Sequence, residues 1–284
     1  MTQKILRLME MRYGVHPDHF KTQTTNELRD EFLATGVMTP GAVTLFHSFY
    51  DRFIFGGAVP TGGALRLEND DALRSDYFLE RRELGILNLG GAGSVTVDGT
   101  DYPMARFDCL YVSRGSREVT FRSDAAGEPA KFYLNCAPAH REYPTTKATQ
   151  AEANRIELGD EAHANKRVLY QYIHEDGIPS CQVVMGFTEL VAGNIWNTFP
   201  PHTHARRMEV YLYFDLPEDE LVMHFMGSPG ETRHLAVRNE EAVISPPWSI
   251  HSGAGTVAYR FVWGMAGENQ SFADMDAAPL STIR

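Results

Sequence analysis

Along most of the chain, apolar residues alternate with polar ones in runs of four to eight, broken by Gly, Pro, Asn and Asp. A period of two between turn-forming residues is the signature of half-buried strands. The runs "DCLYVSRG", "EVTFRS", "AKFYLNCA", "CQVVMGFTEL", "EVYLYFDL", "LVMHFMG", "EAVISPP" and "YRFVWGMAG" predict short strands at near-regular spacing. In "SVTVDGTDYPM", Val95 and Val97 alternate with polar residues up to Asp98-Gly99, a pair suited to a type I′ turn, and a hairpin is predicted. Helical patterning is confined to two places. In "TTNELRDEFL", Thr24 and Glu27 have the spacing of a capping box, while Leu28 and Phe32 share one face. The segment "TQAEANRIEL" carries the second helical pattern. The whole reads as an all-β protein, sandwich or closed barrel, with a few short helices.

The two halves echo one another. "ERRELGILNLGGAG" at residues 80–93 parallels "ARRMEVYLYFDLPE" at 205–218. "DCLYVSRGSREVTF" corresponds to "EAVISPPWSIHSGAGTVAYRF", and "AKFYLNCAPAH" to "AYRFVWGMAGE", in the same order. Self-similarity kept in order across three segments points to two copies of one β-module, expected at 1–150 and 151–284. The length of 284 residues accommodates two such modules.

Composition narrows the function. Hydrophobic residues at 43% and charged residues at 22% are those of an ordinary globular protein, so the chain should fold throughout. A net charge of −11 disfavours a nucleic-acid partner, which needs clustered Lys and Arg against phosphates. The N-terminal "MTQKILRLMEMRYG" is interrupted by Lys4, Arg7, Glu10 and Arg12 and lacks the apolar core of a leader, so a cytoplasmic location is expected. No uncharged apolar run approaches the ~18 residues of a spanning helix, and no membrane role is expected. Cys109, Cys136 and Cys181 are odd in number and without CxxC spacing, and are expected as buried thiols.

Candidate chemistry concentrates in "PPHTHARRMEVYLYF", residues 200–214. His202 and His204 are two apart, so on an extended strand both imidazoles point to one side. Glu209 is five beyond His204, an odd offset that would turn it away on an unbroken strand. A turn through "ARRM" is therefore predicted, followed by a strand with Glu209, Tyr211 and Tyr213 on one face. His251, in "SPPWSIHSGAG", offers a fourth ligand after a Pro-Pro turn. Three imidazoles and a carboxylate suit one divalent transition ion such as zinc, iron, manganese or nickel. The first half has no HxH and no histidine at the place of His251, so a single site is expected. Arg206 and Arg207 lie between the ligands and serve either as ion-pair partners or as receptors for a carboxylate. Trp196, Asn197 and Trp248 flank the ligands, as core or as pocket wall.

The ligand spacing resembles that of the cupin superfamily. The longer strings "YFLERRELGILNLGGAG", "KFYLNCAPAH", "NIWNTFPPHTHARRMEVYLYF", "ISPPWSIHSG" and "FVWGMAGENQSFADMD" resemble the 5-keto-4-deoxyuronate isomerase family over nearly the whole chain. The resemblance implies a bicupin of two tandem jelly-roll barrels, the N-terminal one without a metal. It implies one Zn2+ held in the C-terminal barrel by His202, His204, Glu209 and His251, and a homohexamer. It also implies a ketol-isomerase of a small anionic sugar acid from pectin-type polyuronides. For that chemistry Glu209 and Tyr211 are the candidate catalytic residues, with Glu240 or a metal-bound hydroxide as other proton carriers. Arg206, Arg207 and Trp248 are the candidate substrate-binding residues. The alternatives are an iron-dependent cupin dioxygenase and a non-catalytic sugar-binding bicupin.

Overall fold

The computed structural model describes residues 9–268 and 270–284. Residues 1–8, on which part of the leader argument rests, lie outside it. Two compact units are present, one of residues 1–12 and 37–150, the other of 13–36 and 151–284. The expected division at 150/151 thus needs one correction. Residues 13–36 pack with the second unit, because Leu33–Ala34 adds a strand beside Ala242–Ser245 and Phe20 and Phe32 pack edge-on against Trp248.

Each unit has a seven-stranded and a four-stranded sheet, antiparallel except where Met9–Arg12 runs parallel to Val43–Ser48, and the second unit adds the pair His202–Thr203 with Asp276–Ala277, an all-β bicupin arrangement. In the first unit the central order is Ile54–Ala58, Phe132–Pro138, Arg82–Asn88, Cys109–Val112. In the second it is Val184–Leu190, Arg260–Gly267, Arg207–Phe214, Ala242–Ser245. The last three strands of each order are the segments whose sequences echo one another, and they follow the same spatial sequence. The first unit's core is filled by alternate residues such as Leu84, Ile86, Leu110, Val112, Phe132 and Leu134, so its interior is apolar.

Local signals account for several elements. The helix Thr25–Phe32 begins at a capping box: Glu27 donates its amide to the Thr24 hydroxyl, and Thr24 N–H donates to the Glu27 carboxylate at 2.7 Å. Leu28 and Phe32 are its buried face. The predicted hairpin joins Gly93–Val97 to Thr100–Met104 with Asp98 at φ 47° and Gly99 at φ 83°, the paired positive angles of a type I′ turn. The second helical pattern is corrected. It holds only a single 3-10 turn, Gln150–Glu152, and then the strand Asn154–Leu158 paired antiparallel with Arg167–Ile173. Helix propensity gives way there to an available sheet edge. Among the described residues no helix is long and apolar enough to cross a membrane. All three cysteines are buried and free of disulfides, as expected.

Candidate metal centre and its cavity

The chain leaves the short strand His202–Thr203, turns at Ala205-Arg206 and enters Arg207–Phe214, so the turn demanded by the odd His204–Glu209 offset is present. Arg207, Glu209, Tyr211 and Tyr213 then share one face by the alternation of a strand. Ser245 is the cross-strand partner of Glu209 on one side and Met265 on the other. His251 comes from the four-stranded sheet, on Ile250–Gly255 opposite Met226. The site therefore joins Glu209 from the seven-stranded sheet and His251 from the four-stranded sheet with His202 and His204 from the segment that precedes the turn.

The four side chains converge. Their ligand atoms all lie within 4.8 Å of one another, and among the described residues theirs is the group found that could hold a metal. His202 Nε2 is 3.0 Å from both His204 Nε2 and His251 Nε2. Glu209 Oε2 is 2.9 Å from His251 Nε2 and 3.4 Å from His204 Nε2. Ligand bonds of about 2.0–2.2 Å to a central ion make donor–donor edges of roughly 2.8–3.1 Å in an octahedral and about 3.3–3.6 Å in a tetrahedral site, so separations of this size fit a transition ion.

The outer atoms of the rings support the same orientation. His204 Nδ1 donates to the Asp274 carbonyl at 2.7 Å, which leaves its Nε2 lone pair directed inward. His251 Nδ1 sits 3.2 Å from Ser245 Oγ. Burial, with His251 and His204 beside it, pushes His202 down to about 2, so its ring is neutral. For Glu209 burial acts to raise the pKa, but His251 and His204 outweigh it and hold the carboxyl below its usual range. Neutral imidazole and ionised carboxylate are the forms that bind metal.

His202, His204 and Glu209 of this cluster form part of the wall of a cavity of about 250 Å³ in the second unit. The rest of the wall is largely apolar, with Phe199, Phe261, Trp263 and Phe272. Tyr211 lines it with its phenol 2.9 Å from Thr198 Oγ1. Burial, then the charge of Glu209, raises the Tyr211 pKa well above the ordinary phenol value, so the group is neutral.

The expected substrate-binding residues fare differently. Arg206 is half exposed, away from the cavity, and its Nε and Nη2 are committed to the Asp274 carboxylate. Trp248 is likewise absent from the wall, since its ring is packed against Phe20 and Phe32. Arg207 does line the cavity and is 1% exposed, but both terminal nitrogens donate to backbone carbonyls: Nη1 to Ser271, Nη2 to Phe272 and Asp274. Its task is to hold the 271–274 segment over the site. Glu240 stands in a turn off the cavity wall, donating its amide to the Tyr213 carbonyl. Trp196 stacks on Phe199 and Phe225, and Asn197 donates to the Tyr259 hydroxyl at 2.6 Å; both are packing residues.

Sequence reasoning passed over Arg167, Thr198, Trp263 and the 271–275 segment, all on the wall or above it. Arg167 had a usable signal. It opens the run "RVLYQYI" on the same face as Leu169, whose cross-strand neighbour is Thr188, and all three line the cavity.

A profile of the KduI/IolB family matches residues 40–280. The chain is 54% identical over 276 residues to a protein of Shouchella clausii named 4-deoxy-L-threo-5-hexosulose-uronate ketol-isomerase, covering 97% of this chain and all of that one. A protein of Formosa agariphila with the same name is 56% identical over 275 residues, covering 97% and 98%. In fold it is similar to the crystal structure of an IolB-like protein from Salmonella typhimurium, with TM-score 0.65, 15% identity, and coverage of 77% of this chain and 85% of that one. A family profile over residues 40–280 and identity above one half over nearly the whole chain leave one conclusion: this chain belongs to the KduI/IolB family.

Proposed function

We propose that this chain is a ketol-isomerase that interconverts 5-dehydro-4-deoxy-D-glucuronate and 3-deoxy-D-glycero-2,5-hexodiulosonate in the breakdown of pectin-type polyuronides. The observation that carries the reading is the buried His202, His204, Glu209 and His251 cluster on a cavity wall, in a chain more than half identical to proteins bearing the ketol-isomerase name.

The reaction moves a carbonyl between adjacent carbons without net oxidation. A proton leaves the carbon beside the aldehyde, an enediolate forms, and a proton is delivered to the former aldehyde carbon. His202, His204, Glu209 and His251 would hold a divalent ion, zinc by family resemblance, which when bound would supply Lewis acidity to negative charge developing on oxygen. Glu209 is the carboxylate on the cavity wall, and it carries the carbon-bound proton from one carbon to the next. Tyr211, neutral and hydrogen-bonded to Thr198, donates to the carbonyl oxygen that becomes a hydroxyl and receives the proton of the neighbouring hydroxyl. The apolar wall of Phe261 and Trp263 keeps bulk water from the enediolate.

Two measurements test this. Zinc-loaded protein given the aldehyde is expected to form the ketone, followed by chromatography, with no uptake of oxygen; a loaded protein that leaves the aldehyde unchanged sinks the assignment. Tyr211→Phe is expected to lower kcat by about 100-fold at unchanged metal content, since a positioned proton donor contributes about 10²–10⁴. Full kcat in that variant removes Tyr211 from the mechanism. Three buried cysteines outside any disulfide fit a reducing cytoplasm, and the homohexameric state follows family resemblance.

A further inference from the structure

The substrate carries a carboxylate at the end of the chain remote from its reacting carbons, and a cavity that closes around it needs a cation there. Among the described residues two guanidiniums line the cavity, Arg167 and Arg207. Arg207 is disqualified by its three backbone carbonyls. Arg167 makes one hydrogen bond, from Nη1 to the Asn165 carbonyl at 2.8 Å, and pairs with no carboxylate among the described residues.

We propose that Arg167 receives the substrate's carboxylate and thereby sets both the selectivity for sugar acids and the direction in which the chain enters the cavity. A half-buried guanidinium without a counter-charge is costly to hold, and an incoming carboxylate relieves that cost. The planar fork leaves Nε and Nη2 for two parallel bonds to the two carboxylate oxygens. Position agrees with this role. Arg167 opens a strand three places from Arg207–Phe214 in the sheet order, about 14 Å at ordinary strand spacing. It lines the same cavity as Tyr211, so the side chain is turned inward from that distance. The cluster and the guanidinium therefore face the cavity from different sides, and the substrate's carboxyl carbon is four bonds from the carbon that loses its proton, about 5 Å in an extended chain. With the acid end at Arg167, the aldehyde end is directed to Glu209 and Tyr211.

The inference rests on the ketol-isomerase reading, so the test separates them. Wild type and Arg167→Gln, both zinc-loaded, are titrated with the uronate while tryptophan fluorescence is followed, Trp263 being on the cavity wall. Steady-state rates are measured in parallel. Losing a bidentate charge-assisted pair is expected to raise Kd and KM by about 30-fold while kcat stays within about threefold. Arg167→Lys, which keeps the charge without the fork, is expected to give a rise of about fivefold, and it is the variant read if Arg167→Gln does not fold. Kd and KM within twofold of wild type in a folded, zinc-loaded variant overturn the role of Arg167 and leave the isomerase reading standing. Wild type that binds the acid without converting it overturns the isomerase reading, while the ratio of Kd values still decides Arg167.

Discussion

His251→Ala is expected to abolish stoichiometric metal retention and to lower kcat/KM by at least about 10³-fold, the scale of losing a Lewis acid together with the ligand that helps to hold it. His251 is 1% exposed, and its Nε2 stands 2.9 Å from the Glu209 carboxylate and 3.0 Å from His202, so it closes the cluster from the second sheet. The other three ligands come from residues 202–209. Among the described residues there is no further His, Cys, Asp or Glu grouped with them to take its place. An ion at a thousand times its Kd stabilises the folded protein by about 4 kcal/mol, and that increment should vanish in the variant. Metal content by emission spectrometry, melting with and without added zinc, and isomerase rate are the three readouts. Unchanged turnover in demonstrably metal-free His251→Ala protein would remove the metal from the mechanism.

Arg207→Met tests a different layer of the site. The substitution keeps most of the aliphatic bulk and removes the guanidinium, and with it the hydrogen bonds it donates to the carbonyls of Ser271, Phe272 and Asp274. Each carbonyl that water does not reach costs about 1–3 kcal/mol. The Asp274 carbonyl also fixes the His204 ring, and loss of such a partner commonly weakens metal affinity by about 10–100-fold. Weaker zinc binding, a Tm lower by several degrees and new protease cleavage within residues 268–278 are therefore expected together. Wild-type zinc affinity with an uncut C-terminal segment would show that Arg207 does not anchor it. The Arg206–Asp274 ion pair on the outside cannot substitute, because it is largely solvent-exposed and surface pairs contribute little.

Alternation, turn chemistry and order within the chain carried much of the architecture. The type I′ turn at Asp98-Gly99 and the capping box at Thr24 are local interactions, complete within five residues, so their sequence spacing suffices. The segment 150–158 was misread because its fate is decided by pairing with Arg167–Ile173, which local propensity does not encode. Residues 13–36 illustrate the same limit at larger scale: their helix is legible, but the Trp248 ring and the Ala242–Ser245 edge they cover lie more than 200 positions away.

In the site, the sequence by itself determined the four metal-ligand candidates and the turn between them. Parity on an extended strand is a geometric constraint: His202 and His204 must share a side, Glu209 must not, and only a turn reconciles them. What tertiary structure alone decided was the work of the arginines. Arg206 and Arg207 are adjacent, yet the strand sends one outward to the Asp274 carboxylate and the other inward to the Asp274 carbonyl, some 68 residues along the chain. Arg167 is marked locally only as the head of an alternating run, and it is folding that brings it to the same cavity wall as Glu209, three places away in the sheet order. Coordinating atoms declare themselves by type and spacing, whereas a guanidinium is defined by the acceptors that folding places around it.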